Sequence, residues 1–456
     1  MTDHTTDGSR PRQATSSLSD DRLRSATAEI ARRLPEPATG YPDEIVQTVG
    51  YIEGENGVHP ATKPGVFSGR LGVAVYLAAL AAVTETDSYA GTETDSYAGT
   101  ETDSYAGTET DSYAGTETDS YAESARAWAS RCLQTETETI CARPDIGIGS
   151  GVGSTVYGLT LLAGLTGEAV YADRAGDIVR AVDRETVADD QQYDVLLGTA
   201  GTVHGLLAYY EASGDDAALE TARVCGTHLL AERFEKWNSY SVWDTSRVSG
   251  IGSAAVGAAH GVAGIAHALY RLGAHTGDET YIEVADEAVA FENTFYSPHE
   301  RNWKANFGGV RDYTDWWCSG TAGVGATRLG SLLAHGDETL RRDVRRVAET
   351  LDSELDAHDS VCHGNAGVID LLVELSTHDA TAELVPMERP RELAGALLDR
   401  RAATGQYNVT HGGIAGLSNP VLFLGTTGVG YALLRLLEPS LPSLVRFESP
   451  TAGEWP

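Results

Sequence analysis

A pattern of two glycines three residues apart, followed by an apolar stretch, recurs along the chain and constrains the fold more than any other feature. Successive copies start 44 to 63 residues apart, except for a first interval of 81. Such a period is typical of a helical-hairpin repeat. The copies are GRLGVAVYL from Gly69, SGVGSTVYGL from Ser150 (with serine in the first glycine position), GTAGTVHGL from Gly198, GVAGIAHAL from Gly261, GTAGVGATRL from Gly320, GNAGVIDLL from Gly364 and GTTGVGYALL from Gly425.

Each copy predicts an inner helix, because its apolar residues cover most faces of a helix. Small residues at the start of such a helix allow a tight turn and a close approach of neighbouring helices. The stretches between copies, such as DETYIEVADEAVAFENTF, are amphipathic and predict outer helices. Seven inner and seven outer helices that close on themselves would form an all-α protein, an α/α toroid. An open solenoid is the alternative, since a repeat does not by itself require closure.

The repeats also suggest boundaries along the chain. Residues 1–20 are expected to be a disordered tail, residues 21–60 an N-terminal helical segment, residues 61–440 the toroid, and residues 441–456 a C-terminal tail. Within the toroid, residues 84–122 repeat the octad TETDSYAG five times from Thr84. We interpret this repeat as a low-complexity insertion looped out between two helices, with no catalytic role.

The charge of the chain excludes some classes of partner. The formal net charge is −33, with 66 acidic and 33 basic residues. Such a surface repels phosphate backbones and anionic membranes, so we expect neither nucleic-acid binding nor membrane insertion. The acidity indicates a solvated surface suited to high salt, as in a halophilic organism; a surface that recruits a basic peptide is the alternative.

The N-terminus and the cysteines bear on localisation. The first residues lack the apolar region of a signal peptide, and no apolar run is long enough for a transmembrane helix. Five cysteines, an odd number, show no spacing typical of a disulfide scaffold. We therefore expect a soluble cytoplasmic protein.

Residues capable of chemistry stand just before four of the glycine pairs. These residues are His260, Cys318, the neighbouring Cys362 and His363, and Asp194. Because the repeats are equivalent, these positions should lie at the same end of successive inner helices. In a closed toroid they would converge on one rim of the central cavity.

Cys318, Cys362 and His363 supply two thiolates and one imidazole, a set that suits Zn²⁺. Three protein ligands leave one position open, which is typical of a catalytic zinc site. The alternative interpretation is two buried cysteines and a hydrogen-bonded histidine. The remaining cysteines and three further histidines are not at these positions, and we interpret them as structural, core or loop residues: Cys132, Cys141, Cys225, His204, His267 and His411.

The segments AAHGVAG, WCSGTAG, CHGNAG and NPVLFLGTTGVGYALLRL resemble the lanthionine synthetase C-like (LanC) family, over roughly residues 60–440. The resemblance implies an α/α toroid with seven inner helices. It implies zinc ligands at Cys318, Cys362 and His363, an acid/base histidine at His260 and an active-site aspartate at Asp194.

The chain departs from the family pattern at two positions. Ser319 follows the first zinc cysteine, where the family often has an aromatic residue or histidine. The family also has an arginine a few residues before that cysteine, and the nearest candidate here is Arg311, seven residues upstream. We take Ser319 and Arg311 as candidate substrate-binding residues.

The resemblance implies formation of thioether rings in a ribosomal precursor peptide. A cysteine of the peptide adds to a dehydroalanine or dehydrobutyrine that a separate dehydratase makes from Ser or Thr. Three alternatives stay open: a relative that binds or adds a small thiol such as glutathione, a peptide-binding member without catalysis, and a zinc-dependent prenyltransferase. The last is disfavoured by the three lysines of the chain, because a diphosphate pocket would be basic.

Overall fold

The structure is a computed structural model of the chain. It describes residues 18–34, 65–94, 111–142, 146–236, 240–245, 255–305, 313–351, 354–409 and 419–450. Residues 1–17 of the tail predicted for residues 1–20 lie outside these ranges.

The described residues form sixteen helices and two short antiparallel strand pairs. The strands are β1 (Phe234–Lys236) with β2 (Tyr240–Val242), and β3 (Tyr296–Ser297) with β4 (Asn302–Trp303). The helices are α1 (Asp20–Arg32), α2 (Arg70–Thr94), α3 (Asp111–Gln134), α4 (Thr137–Cys141), α5 (Val152–Thr166), α6 (Ala169–Ala181), α7 (Arg184–Ala188), α8 (Thr199–Ser213), α9 (Asp216–Glu232), α10 (Val262–Thr276), α11 (Glu279–Asn293), α12 (Thr321–Ala334), α13 (Glu338–Thr350), α14 (Asn365–Thr377), α15 (Glu388–Thr404) and α16 (Thr426–Leu437).

The helices after the glycine pairs form a closed inner ring. Helices α2, α5, α8, α10, α12, α14 and α16 each contact the next member of this series, and α16 contacts α2. From α5 to α16, residues on nearly all faces of these helices are buried, as their apolar sequences predict. The toroid is therefore confirmed, and the open solenoid is excluded.

Seven of the other helices in the described residues, each of 13 residues or more, pack outside this ring. Six of them, α3, α6, α9, α11, α13 and α15, each pack against the inner helix that precedes them in the chain. The seventh is α1, which packs against α16 and so joins the two ends of the ring. None of the helices in the described ranges is both long and apolar enough to cross a membrane.

A short sequence signal sets the turn from an inner to an outer helix. Helices α8 and α10 end at Gly214 and Gly277, whose φ angles of 70° and 69° lie in the left-handed region that glycine adopts without strain. The next residues, Asp215 and Asp278, accept hydrogen bonds from backbone N–H groups in the first turn of the outer helix. The Gly-Asp pair thus ends one helix and begins the next.

In six of the seven repeats the second position is a glycine, which a close backbone contact requires. A Cβ atom at Gly323 would lie 1.7 Å from the carbonyl oxygen of Trp317, and one at Gly428 would lie 1.8 Å from that of Leu422. In these six repeats the loop before the inner helix therefore folds back onto the first turn of the helix, and a side chain at this position would block the approach.

The expected register of the second repeat is wrong by one residue. Helix α5 begins at Val152 and is preceded by Gly151, so Gly151 and not Ser150 occupies the first glycine position. Ser154 then stands at the second position, and its hydroxyl accepts a hydrogen bond of 2.9 Å from the Val66 N–H. The segment IGIGSGVGS has alternating glycines, so the spacing alone permits either register.

The first and last octads of the low-complexity repeat continue helices rather than forming a loop. Helix α2 extends to Thr94 and helix α3 starts at Asp111, and these two helices pack together. Residues 95–110, between them, lie outside the described residues.

The segment that follows α16 enters the centre of the toroid. The ring of Phe447 lies 5.8 Å from that of Tyr157, 4.9 Å from that of His204 and 5.8 Å from that of Trp317. The indole Nε1 of Trp317 donates a hydrogen bond of 3.0 Å to the carbonyl oxygen of Val445. Val445 and Phe447, which belong to the stretch expected to be a C-terminal tail, are thus packed into the toroid.

Candidate metal centre

A ring of backbone hydrogen bonds joins the loops that precede the seven inner helices. It is formed by the residue two places before the first glycine of each pair, and we call these seven residues the rim belt. Six N–H groups donate to the carbonyl oxygen of the same position in a neighbouring loop, over 2.7 to 3.2 Å, and the Ser68 hydroxyl joins the two ends by donating to Gly149. In order, the rim belt is Gly149, Leu196, Ala259, Cys318, Cys362, Phe423 and Phe67.

The rim belt explains how cysteines far apart in the chain become neighbours. The Cys318 N–H donates to the carbonyl oxygen of Cys362 over 3.2 Å, because the two residues hold equivalent positions in adjacent repeats. One full helical hairpin separates them in sequence but not in space. For these two cysteines, the approach expected from the repeat pattern is present in the structure.

Cys318, Cys362 and His363 form a compact group of possible metal donors. Their two Sγ atoms and one imidazole nitrogen all lie within 4.8 Å of one another. The Cys362 Sγ lies 3.9 Å from Nε2 of His363. All three residues are buried. Two sulfurs and an imidazole nitrogen fit a borderline-soft divalent ion such as Zn²⁺.

The three groups shift one another's proton affinities. A hydrogen bond with Cys362, together with the nearby His363 imidazole, holds the pKa of Cys318 well below its usual range. Burial, reinforced by Cys318, raises the pKa of Cys362. Burial works to lower the pKa of His363, but the Cys318 thiolate outweighs it and the net shift is upward. One thiolate is thus favoured at the expense of the other.

His260 and Asp194 form a pair on the same rim. Nδ1 of His260 lies 2.8 Å from Oδ2 of Asp194, whose side chain is fully buried. Because an ionised carboxylate only accepts hydrogen bonds, the contact favours the tautomer with the proton on Nδ1. The other carboxylate oxygen, Oδ1, accepts from the Leu197 N–H over 2.7 Å. Asp194 therefore fixes its own loop and the imidazole of the next repeat at once.

The backbone beside this aspartate is strained. Tyr193 has a φ of 58°, in the left-handed region that bulky residues rarely adopt. Strain of this kind persists only where the surrounding contacts fix the backbone, and it is common at functional sites.

The structure places one of the two candidate substrate-binding residues. Ser319 directly precedes the first glycine of its repeat, as His260 and His363 do in theirs, and its hydroxyl oxygen lies 3.6 Å from the Cys318 Sγ. Arg311 and the loop histidine His411 lie outside the described residues. His204 and His267 are buried inside inner helices, as predicted for core residues.

Two contacts of His363 are additional to the candidates drawn from the sequence. The indole of Trp316 meets the His363 ring edge to face, with centroids 5.2 Å apart. The Ser360 hydroxyl accepts a hydrogen bond of 3.2 Å from the His363 N–H. Trp316 and Ser360 both stand four residues before the first glycine of their repeats, the same position as Asp194. A comparison of that position across all repeats would have singled them out.

Comparison with known proteins gives a family and a fold. The sequence model of a family described as "Lanthionine synthetase C-like protein" matches residues 110–448. Among solved structures, nisin cyclase is similar with a TM-score of 0.55 at 15% sequence identity, covering 83% of this chain and 89% of that one. An unsaturated glucuronyl hydrolase from Bacillus sp. GL1 aligns with a TM-score of 0.41 at 15% identity, over 65% of this chain and 86% of that one.

Proposed function

The chain belongs to the lanthionine synthetase C-like family, and on that premise we propose that it closes thioether rings in a peptide. One observation carries the proposal: the Cys318, Cys362 and His363 donors and the His260–Asp194 pair stand on loops joined by the same rim belt. A thiol-activating site and a proton-transfer site thus share one rim of the toroid.

We propose that Cys318, Cys362 and His363 hold Zn²⁺. The ion would lower the pKa of a substrate cysteine thiol, so that the nucleophilic thiolate is available near neutral pH. Cys318 and Cys362 hold their sulfurs together through the backbone hydrogen bond between them, and Ser360 fixes the backbone of His363. Ser319 lies against the Cys318 sulfur, where we propose that it contacts the substrate.

His260 supplies the proton that the addition requires. A C–S bond forms at the β-carbon of the dehydro residue while its carbon–carbon double bond opens. The resulting enolate takes a proton at the α-carbon, so the net change is the transfer of S–H across the alkene. We assign His260 as the general acid for this step.

Asp194 orients the acid. Its carboxylate holds Nδ1 of His260 and thereby leaves Nε2 as the nitrogen that gains and loses the catalytic proton.

The substrate we propose is a precursor peptide that carries both cysteine and a dehydro amino acid. The reaction class that supplies it is the dehydration of Ser or Thr, carried out by a separate dehydratase. The toroid would then need to hold only the two reacting segments near the rim.

The test is direct. The purified protein is incubated with a dehydrated cysteine-containing peptide, and the remaining thiols are alkylated and counted by mass spectrometry. Ring closure leaves no thiol to alkylate and no change in peptide mass. Thiols that stay available while glutathione adds to the alkene would favour the small-thiol alternative, and binding without any addition would favour a peptide-binding role.

Variants separate the two parts of the site. Cys362→Ala should remove the bound zinc, measured by elemental analysis, while the matched buried cysteine variant Cys225→Ala should keep about one zinc per chain.

Asp194→Asn should keep zinc but lower kcat by about 10²- to 10⁴-fold, since the wrong tautomer of His260 is then favoured. Full activity of Asp194→Asn would contradict the assignment of the pair.

A further inference from the structure

Glu292 is a buried carboxylate in the last turn of α11, outside the group of residues assigned above. Its side chain is fully buried. Oε1 accepts a hydrogen bond of 2.9 Å from the Gly257 N–H, in the loop that carries His260. Oε2 pairs with Arg328 of α12 over 2.6 Å. An outer helix thus reaches the rim through one side chain.

This position is an unfavourable one for a carboxylate on stability grounds. A negative charge near the C-terminal end of a helix is repelled by the helix dipole. A buried ion pair also gains little over well-packed apolar residues, because both charges lose their hydration. The contact with Gly257, rather than stability, is what the charge adds to the structure.

Gly257 is where the His260 loop turns against the candidate metal loop. Its φ of 116° is open to glycine only, and a Cβ atom there would lie 2.5 Å from the carbonyl oxygen of Cys318. Two residues later, the Ala259 N–H donates to that same carbonyl oxygen over 3.1 Å. The conformation at Gly257 therefore sets where His260 stands relative to Cys318.

In the preceding repeat a carboxylate also accepts a backbone N–H of the loop, but that carboxylate belongs to the loop itself. Gly257 occupies the position that Asp194 holds in its own loop, four residues before the first glycine. There the Asp194 carboxylate accepts a backbone N–H of its own loop. A glycine has no side chain to do so, and in the His260 loop the carboxylate comes from Glu292 on a different helix.

We propose that Glu292 is a positioning residue that holds the Gly257–Gly261 loop so that His260 faces the Cys318 side of the rim. The catalytic role of His260 in this proposal rests on the proposed function, but the claim that Glu292 holds the loop does not. Loss of the carboxylate loosens this loop, while Cys318, Cys362 and His363 keep their own backbone contacts.

The experiment compares Glu292→Ala with Asp343→Ala. Asp343 is also fully buried and faces the same Arg328, at 3.6 Å, but belongs to α13 and makes no contact with the loop in the described structure. Amide hydrogen exchange is measured on the peptide that spans residues 255–262, together with zinc content, kcat and KM.

We expect Glu292→Ala to speed exchange in residues 255–262 at least about tenfold and to lower kcat about tenfold or more, with KM and zinc content unchanged. Glu292→Gln, which keeps an oxygen for the Gly257 N–H, should restore most of both. Asp343→Ala should leave loop exchange and kcat near wild type, even if its melting temperature falls.

Unchanged exchange in Glu292→Ala, or an equal effect of Asp343→Ala on the loop, would overturn the proposal. If Glu292→Ala does not fold, Glu292→Asp, whose carboxylate is one methylene shorter, carries the same expectation. If the wild type closes no rings, the proposed function fails, whereas the exchange data still decide whether Glu292 holds the loop.

Discussion

Two buried histidines face each other in the middle of the toroid, below the rim. The rings of His204 and His267 lie 4.7 Å apart. Nε2 of His204 lies 3.2 Å from the Gly264 carbonyl oxygen, and Nδ1 lies 3.1 Å from a nitrogen of Arg271. Since the arginine can only donate, Nδ1 must accept and Nε2 must carry the proton. His204 is therefore held as the neutral ring.

This environment makes the protein sensitive to acid. Burial, followed by the charge of Arg271, lowers the pKa of His204 to about 3, from an ordinary value of 6.5. Below pH 6.5 the imidazole of His204 takes up a proton in the unfolded chain but stays neutral in the folded chain. The free energy of unfolding should thus fall between pH 6.5 and 3, by up to about 1.4 kcal/mol per pH unit for this group, and be unaffected by it above pH 6.5.

His204→Gln should reduce that slope, although it lowers stability at neutral pH. The measurement is urea unfolding at pH 7 and pH 5 for the wild type, for His204→Gln and for His299→Gln, which replaces an exposed histidine. Only His204→Gln should show a smaller loss of stability between the two pH values. A wild-type slope in that variant would mean that His204 is protonated in the folded protein.

Individual residues differ in how far the sequence predicts them. Cys318, Cys362, His363, His260 and Asp194 could be singled out because equivalent positions in a repeat must meet on one rim. Glu292 could not be found by that reasoning, because its contact depends on how an outer helix packs. Trp316 holds the same position in its loop as Asp194, and it is recognised only when all the loops are aligned at that position.

At the scale of the elements, a glycine at the second position decides in six of the seven repeats whether the loop can close over its helix. The space for a side chain there is taken by a backbone carbonyl oxygen, which cannot move without breaking the loop. A rotation of a side chain would not relieve such a clash. The glycines are therefore a steric requirement of the rim and not only a source of flexibility.

Gly323→Ala should be strongly destabilising. Its Cβ would lie 1.7 Å from the Trp317 carbonyl oxygen, one residue before Cys318, so we expect a loss of about 3 kcal/mol or more and a lower zinc content. Gly336→Ala is the matched control, because that glycine has an unstrained φ and open space around its Cβ position. It should change stability by less than about 0.5 kcal/mol in urea unfolding. Similar losses in both variants would contradict the steric argument.

The inner helices were predictable as elements, and their register was predictable only where the glycine spacing is unique. Six copies have one possible register, and their helices begin where the pattern places them. In the copy near Ser150 the alternating glycines allow two registers, and in the observed register the Ser154 hydroxyl makes a tertiary contact with the Val66 N–H. Contacts of that kind carry no local sequence signal.

At the scale of the whole molecule, the ring is closed by segments from both ends of the chain. Helix α1 packs on α16, and the segment after α16 occupies the centre. One largely buried ion pair ties this segment to the ring: Arg446 pairs with Glu374 of α14, and also with the more exposed Glu448 of its own segment. The repeat pattern contains neither piece, so the sequence predicted a ring without predicting what fills it.

The acidic residues are concentrated where repulsion among them can be screened. Many of them lie on the solvent-facing sides of the outer helices, for example Asp177, Glu283 and Glu349. A folded chain of net charge −33 holds these carboxylates closer together than an unfolded one does. Self-repulsion of the compact state therefore opposes folding at low ionic strength.

Added salt should consequently stabilise the fold. Raising KCl from about 0.1 M to about 1 M shortens the screening length from about 10 Å to about 3 Å, so we expect the melting temperature to rise. A triple variant, Asp177→Asn, Glu283→Gln and Glu349→Gln, should melt higher than the wild type at low salt and gain less from added KCl, since it has less repulsion to screen. Equal gains in both proteins would show that the salt acts through burial of apolar surface rather than through the charge of the outer helices.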